Sequence, residues 1–247
     1  MSFAPPLVLA SELNDRLADP GYAVLSPDEL CGLIGVDRVA LHAIEPSWHD
    51  LPSDRYLLDG GRYRRRRHAG FIVDQGRVER APHRAHWQPL EYNALHGGLE
   101  RWFEPIEVNI SDSNAWQRLI GGLATVASAV KGARTWFVEA HQFRIDTTDG
   151  IGRPTPEGAH RDGVDLVAVV LVARTGIKGG ETRVFDADGP AGSRFTLTEP
   201  WTLLLLDDAL VIHESTPIQP ADPAGKGWRD TLVITLRRDG FQGPAPL

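Results

Sequence analysis

At 247 residues, with 42% hydrophobic and 24% charged side chains, the chain has the composition of an ordinary folded protein able to bury a substantial core. A net charge of -7 disfavours general nucleic-acid binding, which needs basic surface to neutralise phosphate. A single cysteine, Cys31, excludes intrachain disulfides and thiolate metal clusters. The most apolar stretch, Leu203 to Leu206, is too short to span a bilayer and runs into Asp207 and Asp208. Met1 to Pro6 show no basic region followed by an apolar segment, so a cytoplasmic, reducing setting is expected.

In chain order, Ser26-Pro27-Asp28-Glu29 reads as an N-cap, a proline at the first helical position and a reciprocating Glu. A short helix carrying Leu30 and Leu33 should follow and stop near Gly35. Trp48 to Gly61 is turn-rich, and Arg62 to Val73 suits an extended segment. Leu90 to Phe103 is read as helical, weakened by Gly97-Gly98. Leu119, Leu123, Val126 and Val130 form one buried stripe of a helix over about Asn114 to Val130, capped by Ser111 or Ser113.

After Gly132 the period changes to that of strands. Thr135 to Ile145, Val164 to Ala173, Thr182 to Phe185, Arg194 to Leu197, Thr202 to Leu206, Ala209 to His213 and Thr231 to Arg237 all read as extended. They are separated by turns rather than helices, which argues for an antiparallel barrel or sandwich. The expectation is one domain over 1–247, mainly β with flanking helices. A mixed helical N-terminal part (about 1–132) would pack on a β core (about 133–238). Phe241 to Leu247 reads as a loosely held terminus.

His160 and Asp162 lie two apart, so on an extended segment both side chains point the same way. His213 ends a short strand that could pair beside them. Two imidazoles and a carboxylate can hold a divalent metal and leave coordination positions open; such N/O ligation suits Fe(II) and also Zn(II), Mn(II) or Ni(II). The competing reading is a surface His160–Asp162 pair and a core His213. Arg229 and Thr231 share one strand face, opposite Leu232, Ile234 and Leu236. Arg229 can grip a carboxylate in two parallel hydrogen bonds with Thr231 assisting, or can pair with Asp230.

Further upstream, Arg62, Arg64, Arg65, Arg66 and Arg67 form a basic run that is either a solvated face or the lining of an anion site. Tyr63, Arg64 and Arg66 could meet a substrate carboxylate. Between Trp136 and Ile145, His141 and Phe143 share one face and Gln142 and Arg144 the other; parity does not decide which pair faces a pocket.

Several blocks together resemble a known family: Pro154 to Gly163 around His160-Arg161-Asp162, Gly61 to Arg66, Trp136 to Ile145 with His141-Gln142-Phe143-Arg144, Gly179-Gly180-Glu181-Thr182, and His213 through Arg229. They are similar to bacterial Fe(II)/2-oxoglutarate-dependent dioxygenases of the kind that includes L-isoleucine 4-hydroxylase, over roughly residues 50 to 238. The resemblance implies a double-stranded β-helix (a jelly-roll, cupin-like fold). It implies His160, Asp162 and His213 as catalytic iron ligands, with Arg229 and Thr231 on the far carboxylate of 2-oxoglutarate. The implied activity is hydroxylation of an unactivated carbon of a free L-amino acid with dioxygen, releasing succinate and CO2. The substrate candidates are Tyr63, Arg64, Arg66, His141, Gln142 and Arg144. Two alternatives stand beside it: a peptide or protein side-chain hydroxylase, and a non-catalytic metal-binding module.

Overall fold

Long apolar alternation in the second half of the chain builds a sheet with two unlike faces. The computed structural model describes residues 3–93, 95 and 97–244. Its strands, among those residues, are β1 (Leu7–Val8), β2 (Tyr22–Leu25), β3 (Arg64–Asp74), β4 (Arg77–Arg80), β5 (Trp136–Asp146), β6 (Leu166–Thr175), β7 (Ile177–Gly179), β8 (Thr182–Asp186), β9 (Gly192–Phe195), β10 (Leu203–Asp207), β11 (Val211–Ser215), β12 (Ile218–Pro220) and β13 (Trp228–Arg237). An eight-stranded sheet runs β1-β2-β10-β6-β13-β5-β3-β4, beside a three-stranded sheet β11-β8-β9 and a pair β12-β7.

The helices α1 (Leu13–Ala18), α2 (Pro27–Ile34), α3 (Arg38–His42), α4 (Val108–Ser111) and α5 (Asn114–Lys131) flank the large sheet. The Ser26 hydroxyl accepts the Glu29 N–H at 3.3 Å and Gly35 closes α2 at φ 67°, so the cap and the stop act as read, but the Glu29 carboxylate does not reciprocate and accepts the Ala10 N–H at 2.7 Å instead. Ser113 caps α5 by accepting the Trp116 N–H at 3.3 Å. Leu119, Leu123 and Val126 of α5 join Val138, Ala140, Leu232, Ile234 and Leu236 in the main core. Val167, Leu171, Leu204 and Leu206 pack instead against Val184, Phe195 and Val211, between the large and the three-stranded sheet. Each central strand thus buries both faces.

Two expectations are corrected here. The fold is mainly β with flanking helices, but the sheets do not close into a double-stranded β-helix, jelly roll or cupin barrel. The N-terminal strands explain this: β2 pairs with β10 and β3 pairs with β5, so the ladder groups that closure would use are already engaged. The segment from Leu90 to Phe103 forms no helix among its described residues. It turns after Pro89 and is tied down by paired backbone hydrogen bonds of 3.0 Å between His86 and Arg101.

The C-terminal tail, read as loose, is anchored over its described part. The Phe241 ring packs edge-on against Phe137 and beneath Arg84, and the Gln242 amide donates to the carbonyls of Asp162 and Gly163, both at 2.9 Å. Residues 245–247 lie outside the described residues. No helix is long and apolar enough to cross a membrane among the described residues.

Candidate functional site

The segment before β6 and the strand β11 meet through one antiparallel bridge. The His160 N–H donates to the His213 carbonyl at 3.1 Å, and the reverse bond is 3.0 Å. This brings the two imidazole rings to 4.7 Å between centroids. The His160 Nδ1–H donates to the Gly158 carbonyl at 2.9 Å, which leaves Nε2 as the lone-pair nitrogen. That Nε2 lies 3.9 Å from Asp162 Oδ1, and His213 Nε2 lies 3.7 Å from Asp162 Oδ2. Ligand atoms of His160, Asp162 and His213 all fall within 4.8 Å of one another, a group that could hold a metal ion.

Burial pushes the Asp162 carboxyl up and, with the neighbouring His160, pulls His213 down to about 3. Burial also opposes charge on His160, but Asp162 and Glu157 outweigh it and leave that imidazole raised. Two nitrogens and one carboxylate, with no thiolate nearby, fit ferrous iron, and a divalent cation among them would supply the charge that burial withholds.

The loop carrying Asp162 is held from several sides. Asp208 accepts the backbone N–H groups of Asp162, Gly163 and Val164 at 2.9, 2.8 and 3.0 Å. Arg161 points away from the group and donates to the Asp208 carbonyl at 2.6 Å. Gln88 donates to Asp162 Oδ1 at 3.2 Å while its own carbonyl oxygen accepts from Arg101 at 2.7 Å. The metal-ligand carboxylate is therefore linked to a buried guanidinium two hydrogen bonds away.

The group opens on a cavity of about 120 Å³ lined by β3, β5, β6 and β13. Arg229, Thr231, Val233 and Thr235 present one face of β13 to it, while Leu232 and Ile234 face the helices. Arg229 does not pair with Asp230. That carboxylate points the other way and takes two hydrogen bonds from Arg144, at 2.7 and 2.6 Å. The Arg229 guanidinium is buried, its Nε has no hydrogen-bond partner, and burial and then Arg174 lower its pKa to about 10. Arg174 also keeps a buried Nη1 without a partner. Gly180, at φ 67°, approaches closely: a Cβ there would stand 3.0 Å from Arg174 Nη1. Arg174 is half-buried and gives its Nη2 to the Gly179 carbonyl at 2.7 Å, so the buried Arg229 guanidinium on the cavity of the metal-ligand group is the cation that suits a carboxylate.

The opposite wall is also basic. Arg66 is sandwiched between Phe103 and Phe143, at 3.8 and 4.5 Å from the ring centroids, and donates to His141 Nδ1 at 2.7 Å. Arg64 pairs with buried Asp54 at 2.7 Å. The side chains of His68, His86 and His141 form a second group that could hold a metal ion. Its hydrogen bonds favour a different use. Arg66 occupies the His141 Nδ1 lone pair, which puts the proton of the neutral ring on Nε2, and Glu139 is the acceptor for His68 at 3.0 Å and His86 at 3.4 Å. Burial lowers the pKa of all three imidazoles.

Of the residues singled out by sequence, His160, Asp162, His213, Arg229, Thr231, Arg64, Arg66 and His141 line this one cavity. Tyr63, Gln142 and Arg144 do not. Tyr63 is buried beside Ile145 and Ile218 with its hydroxyl donating to Asp59, Gln142 donates to Ser47 under the helices, and Arg144 is committed to Asp230. The alternation of β5 is thereby decided: His141 and Phe143 face in. Gln88, Arg101, Glu139, Glu157 and Gln242 also line the cavity, and sequence reading missed them. For Glu139 the signal was available, since it shares strand parity with His141; for Gln88 and Arg101, in irregular segments, there was none.

Residues 45–235 match the model of the 2OG-Fe dioxygenase family. The crystal structure of a bsmA homolog from Methylobium petroleophilum PM1 is similar at 50% identity, covering 98% of each chain, with a TM-score of 0.92. The structures of IDO from Bacillus thuringiensis (16% identity, 97% of this chain and 99% of that one, TM-score 0.75) and of the Fe(II)/α-ketoglutarate-dependent dioxygenase TqaL (21% identity, 93% and 87%, TM-score 0.72) share the fold. No curated protein matches the sequence. The chain belongs to the 2OG-Fe dioxygenase family and is an oxidoreductase of that class, whose generic requirements are iron, 2-oxoglutarate and dioxygen. That assignment sets aside a non-catalytic metal module and carries no preference for isoleucine.

Proposed function

We propose that the chain is a hydroxylase in which His160, Asp162 and His213 hold Fe(II), while Arg229, assisted by Thr231, holds the far carboxylate of 2-oxoglutarate. Bound together with dioxygen, these groups supply oxidation of an unactivated C–H bond with release of succinate and CO2. The protein's own part is to place the substrate and keep water out. In this reading residues 1–247 act as one domain. The observation that carries the reading is the unpaired, buried Arg229 guanidinium on the cavity that the three ligand side chains enter.

The substrate reading is a free L-amino acid, or a carboxylate of similar size, resting on Arg64 and Arg66 with His141 beside them. The small volume of the cavity and its basic wall favour it. A second reading, oxidation of a peptide or protein side chain, is favoured by a wider surface hollow of about 540 Å³ that shares Glu157 and His160 with the inner cavity. The test is anaerobic reconstitution with Fe(II) and 2-oxoglutarate, then oxygen exposure with free amino acids and with peptides. Succinate together with a product heavier by one oxygen atom supports the reading; absence of succinate with every substrate and without substrate defeats it.

A further inference from the structure

The cavity carries unsatisfied groups of both signs. On the β3 side, Arg64 Nη2, Arg66 Nε and Arg101 Nε are buried and have no hydrogen-bond partner, and all three residues are under one-tenth exposed. On the metal-loop side, Glu157 Oε2 is likewise buried without a partner, while its Oε1 lies 3.6 Å from His160 Nε2. Of the three carboxylates lining the cavity among the described residues, Asp162 belongs to the metal-ligand group. Both oxygens of Glu139 are engaged by His68, His86 and Arg84. Glu157 is the remaining one.

The geometry points to Glu157 as the acceptor for the ammonium of a free α-amino acid whose carboxylate rests on Arg64, Arg66 and Arg101. The inference rests on the hydroxylase reading above and adds the second anchor that reading lacks. A buried carboxylate oxygen without a donor and guanidinium N–H groups without an acceptor each carry a desolvation cost, and one zwitterion relieves both. Two charged anchors fix the head group, so the distance from head group to iron would select the carbon oxidised. Glu157 also borders the outer hollow. A residue within a peptide chain has no ammonium to offer there and is discriminated against at this point.

The experiment is calorimetric titration of each proteinogenic L-amino acid, singly, into anaerobic protein loaded with Fe(II) and 2-oxoglutarate. The N-acetyl and des-amino counterparts of the best binder follow. The free amino acid is expected to bind at least about tenfold more tightly than either counterpart. Glu157→Gln should weaken it by roughly tenfold to a hundredfold, leave the des-amino acid unchanged, and retain iron. Equal binding of the N-acetyl compound, an unchanged affinity in Glu157→Gln, loss of iron from that variant, or binding of no free amino acid each overturns the inference. Titration of 2-oxoglutarate in the same samples separates the failures: wild-type protein that binds iron and 2-oxoglutarate but no free amino acid overturns this inference alone, whereas failure to bind iron and 2-oxoglutarate overturns the hydroxylase reading with it.

Discussion

Asp208 holds the backbone of Asp162: its Oδ1 accepts the Asp162 N–H at 2.9 Å, and its Oδ2 accepts the next two N–H groups. A carboxylate on the strand-to-strand turn after β10 thus sets the direction of a side chain 46 residues earlier. Asp208→Asn keeps the shape but turns one acceptor into a donor facing N–H groups. Iron affinity should fall roughly tenfold to a hundredfold, as for other partners that orient a ligand. Chelator competition measures it, and an unchanged iron affinity would refute the role.

Gln242 holds the same loop from the C-terminal tail, and Gln242→Ala removes both of its hydrogen bonds to the carbonyls of Asp162 and Gly163. A loss of about 1–3 kcal/mol in unfolding free energy is expected, with faster proteolysis around Pro154 to Gly163. A wild-type urea midpoint and cleavage rate would show that the tail contributes nothing.

Arg229 is a buried cation with no carboxylate of its own, so its charge burdens the protein until a ligand arrives. Arg229→Met should leave the melting temperature of the ligand-free protein unchanged or higher. The same variant should weaken 2-oxoglutarate binding by roughly a hundredfold or more. Calorimetry and thermal melting read the two effects separately; undiminished 2-oxoglutarate binding would sink the assignment.

Burial pulls His86 down to about 3, whereas an imidazole in the unfolded chain titrates near 6.5. Between those values the unfolded state binds a proton that the folded state does not. Stability is therefore complete above about pH 6.5 and declines as pH falls toward 3. His68 and His141 act in the same direction. The His86 contribution approaches a slope of about 1.4 kcal/mol per pH unit once the pH is well below 6.5. Urea unfolding of metal-free protein between pH 5 and 6.5 should show His86→Gln with a shallower slope, the difference growing toward about 1.4 kcal/mol per pH unit near pH 5; parallel curves for variant and wild type would disprove it.

What the chain's residues determine locally was legible. Ser26, Pro27 and Gly35 bound a helix through groups within a few positions of one another, and the stripe of Leu119, Leu123 and Val126 needs only the helical period. Arg229 and Thr231 share a face of β13 because residues two apart on a strand do so whatever surrounds them, and His160 and Asp162 come together likewise although only His160 makes a β-bridge and Asp162 lies in a loop.

The tertiary structure alone decided which face that is. Gln142 and Arg144 sit under the helices because Ser47 and Asp230 satisfy them there, and this turns His141 and Phe143 inward. It also decided that the sheet stays open, since β2 and β3 come from distant parts of the chain to take its pairing edges. Gln88, Arg101 and Gln242 reach the site from irregular segments without periodicity. Short-range order is encoded by spacing; partners brought together across a hundred residues are selected by burial and hydrogen-bond satisfaction, which no spacing records.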